Sequence, residues 1–176
     1  YIDIGADKKE IAEQYVSAGD SVVFFNEFCE FGENGSKIKA KALDDRAGCA
    51  LLVDMILSDE LEYDTVFAFT VQEENGCRGA KTAAFAVRPD IAVAVETTTA
   101  KDIPSVESEK QVCQLAKGPV MSIMDFTTVY DRKILKDALD MAREKNIPVQ
   151  VKNVVSGGND SGSLQRSASS AKAVAV

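Results

Sequence analysis

The chain has 176 residues, 45% of them hydrophobic and 27% charged, with 28 acidic against 20 basic side chains and no histidine. This ordinary globular composition excludes collagen-like, disulfide-scaffold and disordered classes. The formal charge of -8 repels phosphates, so we expect neither nucleic acid nor a membrane surface as a partner. The lack of histidine excludes Ser-His-Asp and Cys-His mechanisms for this chain alone, and a metal site built from its own residues would depend on carboxylates.

The four cysteines are widely separated and form no C-x-x-C pair, which excludes a zinc ribbon and a thioredoxin-like motif. We expect free, mostly buried thiols and a cytoplasmic location. The apolar runs at 50–57 and 67–71 are too short to span a bilayer. The chain opens on Tyr1 and ends inside an apolar run, Ala171 to Val176, so we expect an internal piece of a longer protein.

The first 35 residues predict a β-rich segment with one short helix. Residues 1–4 alternate like a strand, 7–16 show helical spacing, and 21–25 are an apolar strand-like run. Loop-like residues at 32–36 lead into Lys37. We place a domain boundary here and divide the chain into 1–35 and 36–176.

Helix and strand patterns alternate in the rest of the chain. The run 46–57 is apolar nearly all round and predicts a helix buried on most sides. We predict further helices at 79–87 and 130–145 and a short one after the loop 156–162, with strands at 64–72, 90–95, 119–124 and 148–155. Continuous apolar strands separated by helices indicate an α/β fold, a mixed sheet with helices on both faces.

Acidic residues stand at three junctions of these elements. Asp44 and Asp45 precede the apolar helix, Glu73 and Glu74 end one strand, and Glu96 ends the next. Each has an ordinary structural explanation, as a helix cap or a solvated turn acid. At one sheet edge, however, they would repel one another unless cations neutralised them. Adjacent glutamates are also an unlikely glycosidase pair, whose carboxyl groups lie about 5 to 9 Å apart, so a two-metal site suits them better.

The motifs, in order, resemble the dinuclear-metal tetrahedral aminopeptidases, which include glutamyl, lysyl and deblocking aminopeptidases often described as endoglucanases. The similarity covers nearly the whole chain. It runs through Ile2–Ala6, Gly19–Val23, Lys41–Gly48, Phe69–Gly76 with Arg78–Ala80, Glu96–Thr98, Gly118–Val120 and Gly157–Gly162.

The resemblance implies a role for each acidic residue. Asp44 corresponds to the carboxylate that bridges two metals, and Asp45 to a residue that holds its geometry. Glu73 corresponds to the general base for the attacking water. Glu74 and Glu96 correspond to ligands of one metal each, although the family often has Asp at the latter position.

The resemblance also implies a zinc-peptidase-like catalytic domain in 36–176 and the end of a small β domain of dimerisation type in 1–35. The substrate would be a peptide, bound beside Gly157, Gly158 and Asp160. The cofactors would be two zinc or cobalt ions. The intact protein would be a homo-oligomer, a dodecamer. The family's two histidine ligands have no counterpart here. We therefore expect an incomplete site that binds metal weakly and a chain that is inactive alone.

Two alternatives remain open. One is a related dinuclear deacylase or carboxypeptidase, which would differ in accepting amino-blocked substrates. The other is a non-catalytic fragment used for assembly, which would bind no metal even though the full-length protein does.

Overall fold

The computed structural model describes residues 2–58, 60–167 and 170–176. The chain divides into two compact units, Tyr1–Lys41 and Ala42–Val176. This division falls later than the predicted boundary because strand β1 (Cys29–Phe31) pairs antiparallel with β2 (Lys37–Lys39). A boundary after residue 35 would separate these hydrogen-bonded strands. The roles assigned to the two domains stay predictions.

The described residues of the first unit form one short helix, α1 (Lys9–Ala12), and the β1–β2 pair, whose strands are joined through a 3-10 turn at Glu33–Gly35. The strands predicted at residues 2–4 and 21–25 are wrong, and Tyr1 lies outside the described residues. Phe24 and Phe25 are 94% and 90% exposed. An alternating pattern becomes a strand only when a neighbouring backbone completes its ladder, and no described residue of this unit does so here.

The second unit combines four helices with two parallel strand pairs within its described residues. Strand β3 (Ile91–Ala94) pairs with β6 (Lys172–Ala175), and β4 (Val120–Met121) pairs with β5 (Gln150–Val151). The helices are α2 (Leu43–Ser58), α3 (Arg78–Val87), α4 (Arg132–Glu144) and α5 (Ser161–Gln165). The parallel strands and intervening helices confirm the predicted α/β class.

Helix α4 follows its sequence pattern closely. The Asp131 carboxylate caps it by accepting from the backbone N–H groups of Lys133 at 3.0 Å and Ile134 at 2.9 Å. Leu135 is buried on one face, and Lys133 pairs with Asp137 at 2.6 Å on the exposed face. In the part of the chain that the structure describes, no helix combines the length and apolar character needed to cross a membrane.

Two elements that the sequence predicts to lie in the core are not packed against other described residues. Helix α2 was predicted to be buried on most sides, yet only Gly48 of this helix is buried, and Leu57 is 77% exposed. Residues 64–72 were predicted as a central strand, but their backbone joins no ladder. Both predictions are wrong for the same reason: an apolar pattern indicates that a face can be covered, but burial requires a packing partner.

The cysteines are free, as predicted, but only Cys113 is buried. The core of the second unit instead centres on Ala94 at the end of β3, Ala175 at the end of β6, and Tyr130. The backbone N–H of Asp131 donates to the Ala173 carbonyl at 3.0 Å, which ties the segment before α4 to β6. The Ser161 hydroxyl donates to the Val174 carbonyl at 3.3 Å, which places the start of α5 beside β6.

We expect Gly118→Ala to lower the free energy of unfolding by about 3 kcal/mol. Gly118 has a φ of +95°, and an added Cβ would lie 2.0 Å from the Pro148 carbonyl oxygen. Gly19→Ala is the matched control, because Gly19 has a φ of +99° with no atom near its Cβ position. It should cost about 1 kcal/mol in urea unfolding. Equal losses in the two variants would show that the Pro148 contact is unimportant.

Candidate metal centre

The start of α2 presents two carboxylates. Asp44 and Asp45 have non-helical backbone angles, and the peptide bond between them is cis. Asp45 Oδ1 accepts a hydrogen bond from the Gly48 N–H at 3.0 Å. Asp45 therefore caps the regular part of α2, whereas Asp44 remains exposed and has no such bond to the helix among the described contacts.

Gly48 allows this end of α2 to approach the end of β3. A Cβ at Gly48 would lie 2.7 Å from the Val95 carbonyl oxygen and 2.3 Å from Asp45 Oδ2. No side chain fits in that space, so only glycine permits the approach. Glu96 follows Val95 directly and is thereby brought beside the two aspartates.

The close approach creates a group of three carboxylates. Asp44, Asp45 and Glu96 each offer an oxygen atom, and these atoms lie within 4.8 Å of one another. The sequence placed these residues at separate junctions and predicted that they converge. The structure brings them together.

A second group lies at the end of segment 64–72. Glu73 begins a turn in which the backbone N–H groups of Gly76 and Cys77 donate to its carbonyl at 2.9 Å. The Cys77 thiol is 3.7 Å from Glu73 Oε1. Ligand atoms of Glu73, Cys77 and Asp160 lie within 4.8 Å of one another.

Asp160 connects this turn to the start of α5. The Thr70 hydroxyl donates to Asp160 Oδ2 at 2.5 Å. The other oxygen, Oδ1, is buried and has no hydrogen-bond partner among the described residues. A buried carboxylate oxygen without a donor is costly, and a bound cation or a water molecule would satisfy it.

Burial and mutual repulsion raise the pKa values of these acids. Burial first, then Asp45 and Asp44, raises the pKa of Glu96 to about 8. The pKa of Glu73 is raised by burial, by Asp160 and by Glu74, and also by Asp44. Burial also raises the pKa of Asp45, to which Asp44 and Asp160 add. Because Asp44 acts on Glu73 and Asp160 acts on Asp45, the two groups form one electrostatic region.

Residues 1–176 match the family described as M42 glutamyl aminopeptidase. The chain belongs to this family. A protein of Acetivibrio thermocellus is 38% identical over 169 residues, 96% of this chain and 50% of its own length. The chain therefore spans about half the length of the relatives it matches.

Solved structures of the family have the same fold. The TET aminopeptidase from a marine sediment archaeon, Thaumarchaeota archaeon SCGC AB-539-E09, has a TM-score of 0.87 and 31% identity over 98% of this chain and 50% of its own. The TET1 peptidase of Pyrococcus horikoshii has a TM-score of 0.67 and 31% identity over 98% of this chain and 50% of its own, and it assembles into a tetrahedron or a large octahedral shell. These matches confirm the resemblance to the tetrahedral aminopeptidases.

The donor set of this M42 chain fits divalent cations. Clustered carboxylate oxygens suit hard and borderline metal ions. Burial and the neighbouring aspartates raise the pKa of Glu96, and a bound cation would offset both effects. Asp44 and Glu96 are the residues of this group that would hold a cation, and Asp45, which accepts from the Gly48 N–H, would keep them in position. Glu74 is exposed and belongs to neither described group, so its role as a ligand stays a prediction.

Gly158 packs tightly against a neighbouring loop, and Gly157 is bonded to that loop through its backbone. A Cβ at Gly158 would lie 2.8 Å from Thr127 Cγ2, and the Gly157 carbonyl accepts from the Phe126 N–H at 2.9 Å. The close contact gives Gly158 a structural role as glycine, whereas no described residue other than its chain neighbours lies within 4 Å of the Gly157 Cβ position. Their predicted contact with substrate stays a prediction.

Sequence reasoning missed the side chains that hold this loop. Buried Asp125 accepts from the backbone N–H of Thr127 and of Thr128, each at 2.7 Å, and from the Tyr130 hydroxyl. The Tyr130 oxygen in turn accepts from Asn159 Nδ2 at 3.1 Å. The sequence could not predict this contact, because Asn159 is 29 positions from Tyr130.

We expect Tyr130→Phe to destabilise the protein by about 1–3 kcal/mol, because it removes the hydroxyl that bonds the buried Asp125 Oδ2 and Asn159 Nδ2 atoms. Urea unfolding measures the loss. Tyr63→Phe is the control, since Tyr63 is 81% exposed. A loss no greater than that of the control would contradict a structural role for the Tyr130 hydroxyl.

The stability of the metal-free protein should fall as pH rises from about 5 to about 8. Glu96 has a pKa of about 8 when folded, against an ordinary value of 4.5. The folded state therefore keeps a proton that the unfolded chain loses, and stability falls with rising pH between the two values. Glu96→Gln should flatten this dependence in urea unfolding with chelator present. The exposed control Glu62→Gln should leave it unchanged, and an unchanged slope in Glu96→Gln would contradict the shift.

Proposed function

We propose that the full-length protein is a metal-dependent aminopeptidase that hydrolyses the amino-terminal peptide bond of peptides. The observation that carries this proposal is the convergence of Asp44, Asp45 and Glu96 within one electrostatic region that also contains Glu73. Membership of the M42 family supports it. Because the chain spans about half of its relatives' length, activity is proposed for the full-length protein and not for this chain alone.

Each carboxylate of the site would have a separate role. Asp44 would bridge two divalent cations, zinc or cobalt, and Glu96 and Glu74 would each hold one of them. When bound, the cations would make water more acidic and polarise the substrate carbonyl. Asp45 keeps the start of α2 in place through its bond to Gly48.

Glu73 would act as the general base. It would accept a proton from the attacking water and return it to the leaving amine. Burial and the neighbouring acids raise its pKa from the ordinary value, which brings its proton affinity closer to that of the leaving group. Cys77 is unsuited to compete for this role as a thiolate, because burial and the nearby acids raise its pKa to about 12.

The remaining parts of the proposal concern the parent protein. Two imidazole ligands would come from outside this chain, which has no histidine, and the chain alone would then bind metal weakly. Assembly into a homo-oligomer, a dodecamer, is supported by the similar TET1 structure described as a dodecamer. A cytoplasmic location is supported by the four free cysteines.

In the full-length protein, Glu73→Gln should lower the cleavage rate of aminoacyl anilides by at least about 100-fold, because a positioned general base contributes on that scale. Zinc or cobalt content measured by elemental analysis should stay nearly unchanged. Glu62→Gln, an exposed change of the same kind, should keep full activity.

Retained activity in Glu73→Gln would remove Glu73 from the role of base. Peptides with a blocked amino terminus test the reaction class in the same assay. An aminopeptidase that requires a free amine leaves them intact, whereas their cleavage would favour the deacylase or carboxypeptidase alternative. Absence of metal binding by the full-length protein would contradict the metallopeptidase proposal itself.

A further inference from the structure

The group of Glu73, Cys77 and Asp160 shares no residue with the carboxylate group at the start of α2 and the end of β3. The turn after segment 64–72 supplies the glutamate and the thiol, and the loop before α5 supplies the aspartate. The proposed cleavage reaction uses Glu73 as its base but gives no chemical task to Cys77. The reason why a thiol lies between two carboxylates is therefore still to be explained.

The spacing of these three side chains suits one tetrahedral cation. Their ligand atoms lie within 4.8 Å of one another. The Cys77 Sγ and Glu73 Oε1 atoms are 3.7 Å apart. Two ligands of a tetrahedral zinc ion, with a Zn–S bond of about 2.3 Å and a Zn–O bond of about 2.1 Å, lie about 3.6 Å from each other. A cation therefore fits between these two atoms with almost no movement of the pair.

Asp160 supplies a separate observation that points to a bound cation. Its Oδ2 atom accepts from the Thr70 hydroxyl at 2.5 Å, which fixes the carboxylate. Its Oδ1 atom is buried and has no hydrogen-bond partner among the described residues. In the part of the chain that the structure describes, no ion pair includes Glu73 or Asp160. The group thus holds two carboxylates without a countercharge, and a cation would supply both the charge and the missing partner.

The thiol determines which cations would bind. Thiolate sulfur favours soft and borderline ions such as zinc and cadmium, whereas magnesium and calcium prefer oxygen ligands. All three residues of the group are only partly buried, so an ion can reach them from solvent. On binding, the cation replaces the proton of the Cys77 thiol, which passes to solvent, and the sulfur becomes a ligand.

We propose that Glu73, Cys77 and Asp160 form a binding site for a thiophilic divalent cation, zinc or cadmium, in addition to the carboxylate group at α2 and β3. Three protein ligands leave the fourth tetrahedral position for water. The consequence for activity rests on the proposed aminopeptidase function. A cation held by the Glu73 carboxylate prevents that group from accepting the proton of the attacking water, so zinc in excess of the catalytic ions would inhibit the enzyme.

Cadmium titration of the full-length, zinc-loaded protein tests the site directly, because a cadmium–thiolate bond gives an ultraviolet charge-transfer band. The wild type should show a saturable band, and Cys77→Ser should lose it. Asp160→Asn should weaken the cadmium affinity by at least about tenfold, since loss of even an outer-shell partner of a metal costs about 10- to 100-fold.

Two matched controls separate this site from the other thiols and acids of the chain. Cys29→Ser, at an exposed cysteine of the first unit, should keep the band. Asp64→Asn, at an exposed aspartate, should leave the cadmium affinity unchanged. Melting temperatures identify a folding defect in Cys77→Ser, in which case Cys77→Ala takes its place and must also lose the band.

Cleavage of an aminoacyl anilide gives the second readout. Cadmium should inhibit the wild type over the same concentrations that saturate the band, and magnesium at these concentrations should not. Relative to its own uninhibited rate, Cys77→Ser should need at least about tenfold more cadmium for half-inhibition.

The outcomes distinguish this inference from the proposed function. A missing band in the wild type, or a full band in Cys77→Ser, would show that the cation site is wrong and would leave the aminopeptidase proposal standing. Equal inhibition of the wild type and Cys77→Ser would show that cadmium acts on the catalytic ions instead, which overturns the inhibitory role of this site. If the zinc-loaded wild type cleaves no anilide, the aminopeptidase proposal is wrong, and the band still decides whether the cation site exists.

Discussion

The candidate site depends on the close approach of helix α2 to the end of strand β3. Gly48 makes this approach possible, because any side chain there would collide with the Val95 carbonyl oxygen and the Asp45 carboxylate. The contact forces Asp44, Asp45 and Glu96 into one small volume. Burial of a carboxylate and like charges at this range both oppose folding, and together they raise the pKa of Glu96. Because the empty site destabilises the folded state, a bound cation would stabilise it.

A second set of contacts aligns the opposite wall of the site. The loop before α5 is held by the chain of hydrogen bonds from Asp125 through Tyr130 to Asn159. The Thr70 hydroxyl fixes Asp160 beside Glu73. These bonds join segments that are far apart in sequence, so the loop before α5 and the acids beside the proposed base are positioned by one shared framework. Rigid support of this kind is what a site with several cooperating carboxylates requires.

The sequence predicted the acidic part of this site better than its surroundings. Asp44, Asp45, Glu73 and Glu96 follow or precede strong apolar elements, and this placement predicted their convergence at one sheet edge. It could not predict that Glu74 would face solvent, or that Cys77 and Asp160 would join Glu73, because side-chain direction in a turn depends on the surrounding packing. The burial of α2 was also mispredicted: periodicity identifies an apolar face but not what covers it.

The sequence by itself determined the α/β class, the positions of the main helices and the family, because these depend on local periodicity and on motifs of fixed order. Only the tertiary structure decided which acids share a site and which glycines are required by close contacts. These features arise between residues tens of positions apart. The distances between these residues are determined by how helices and strands pack. A local pattern in the sequence does not determine that packing.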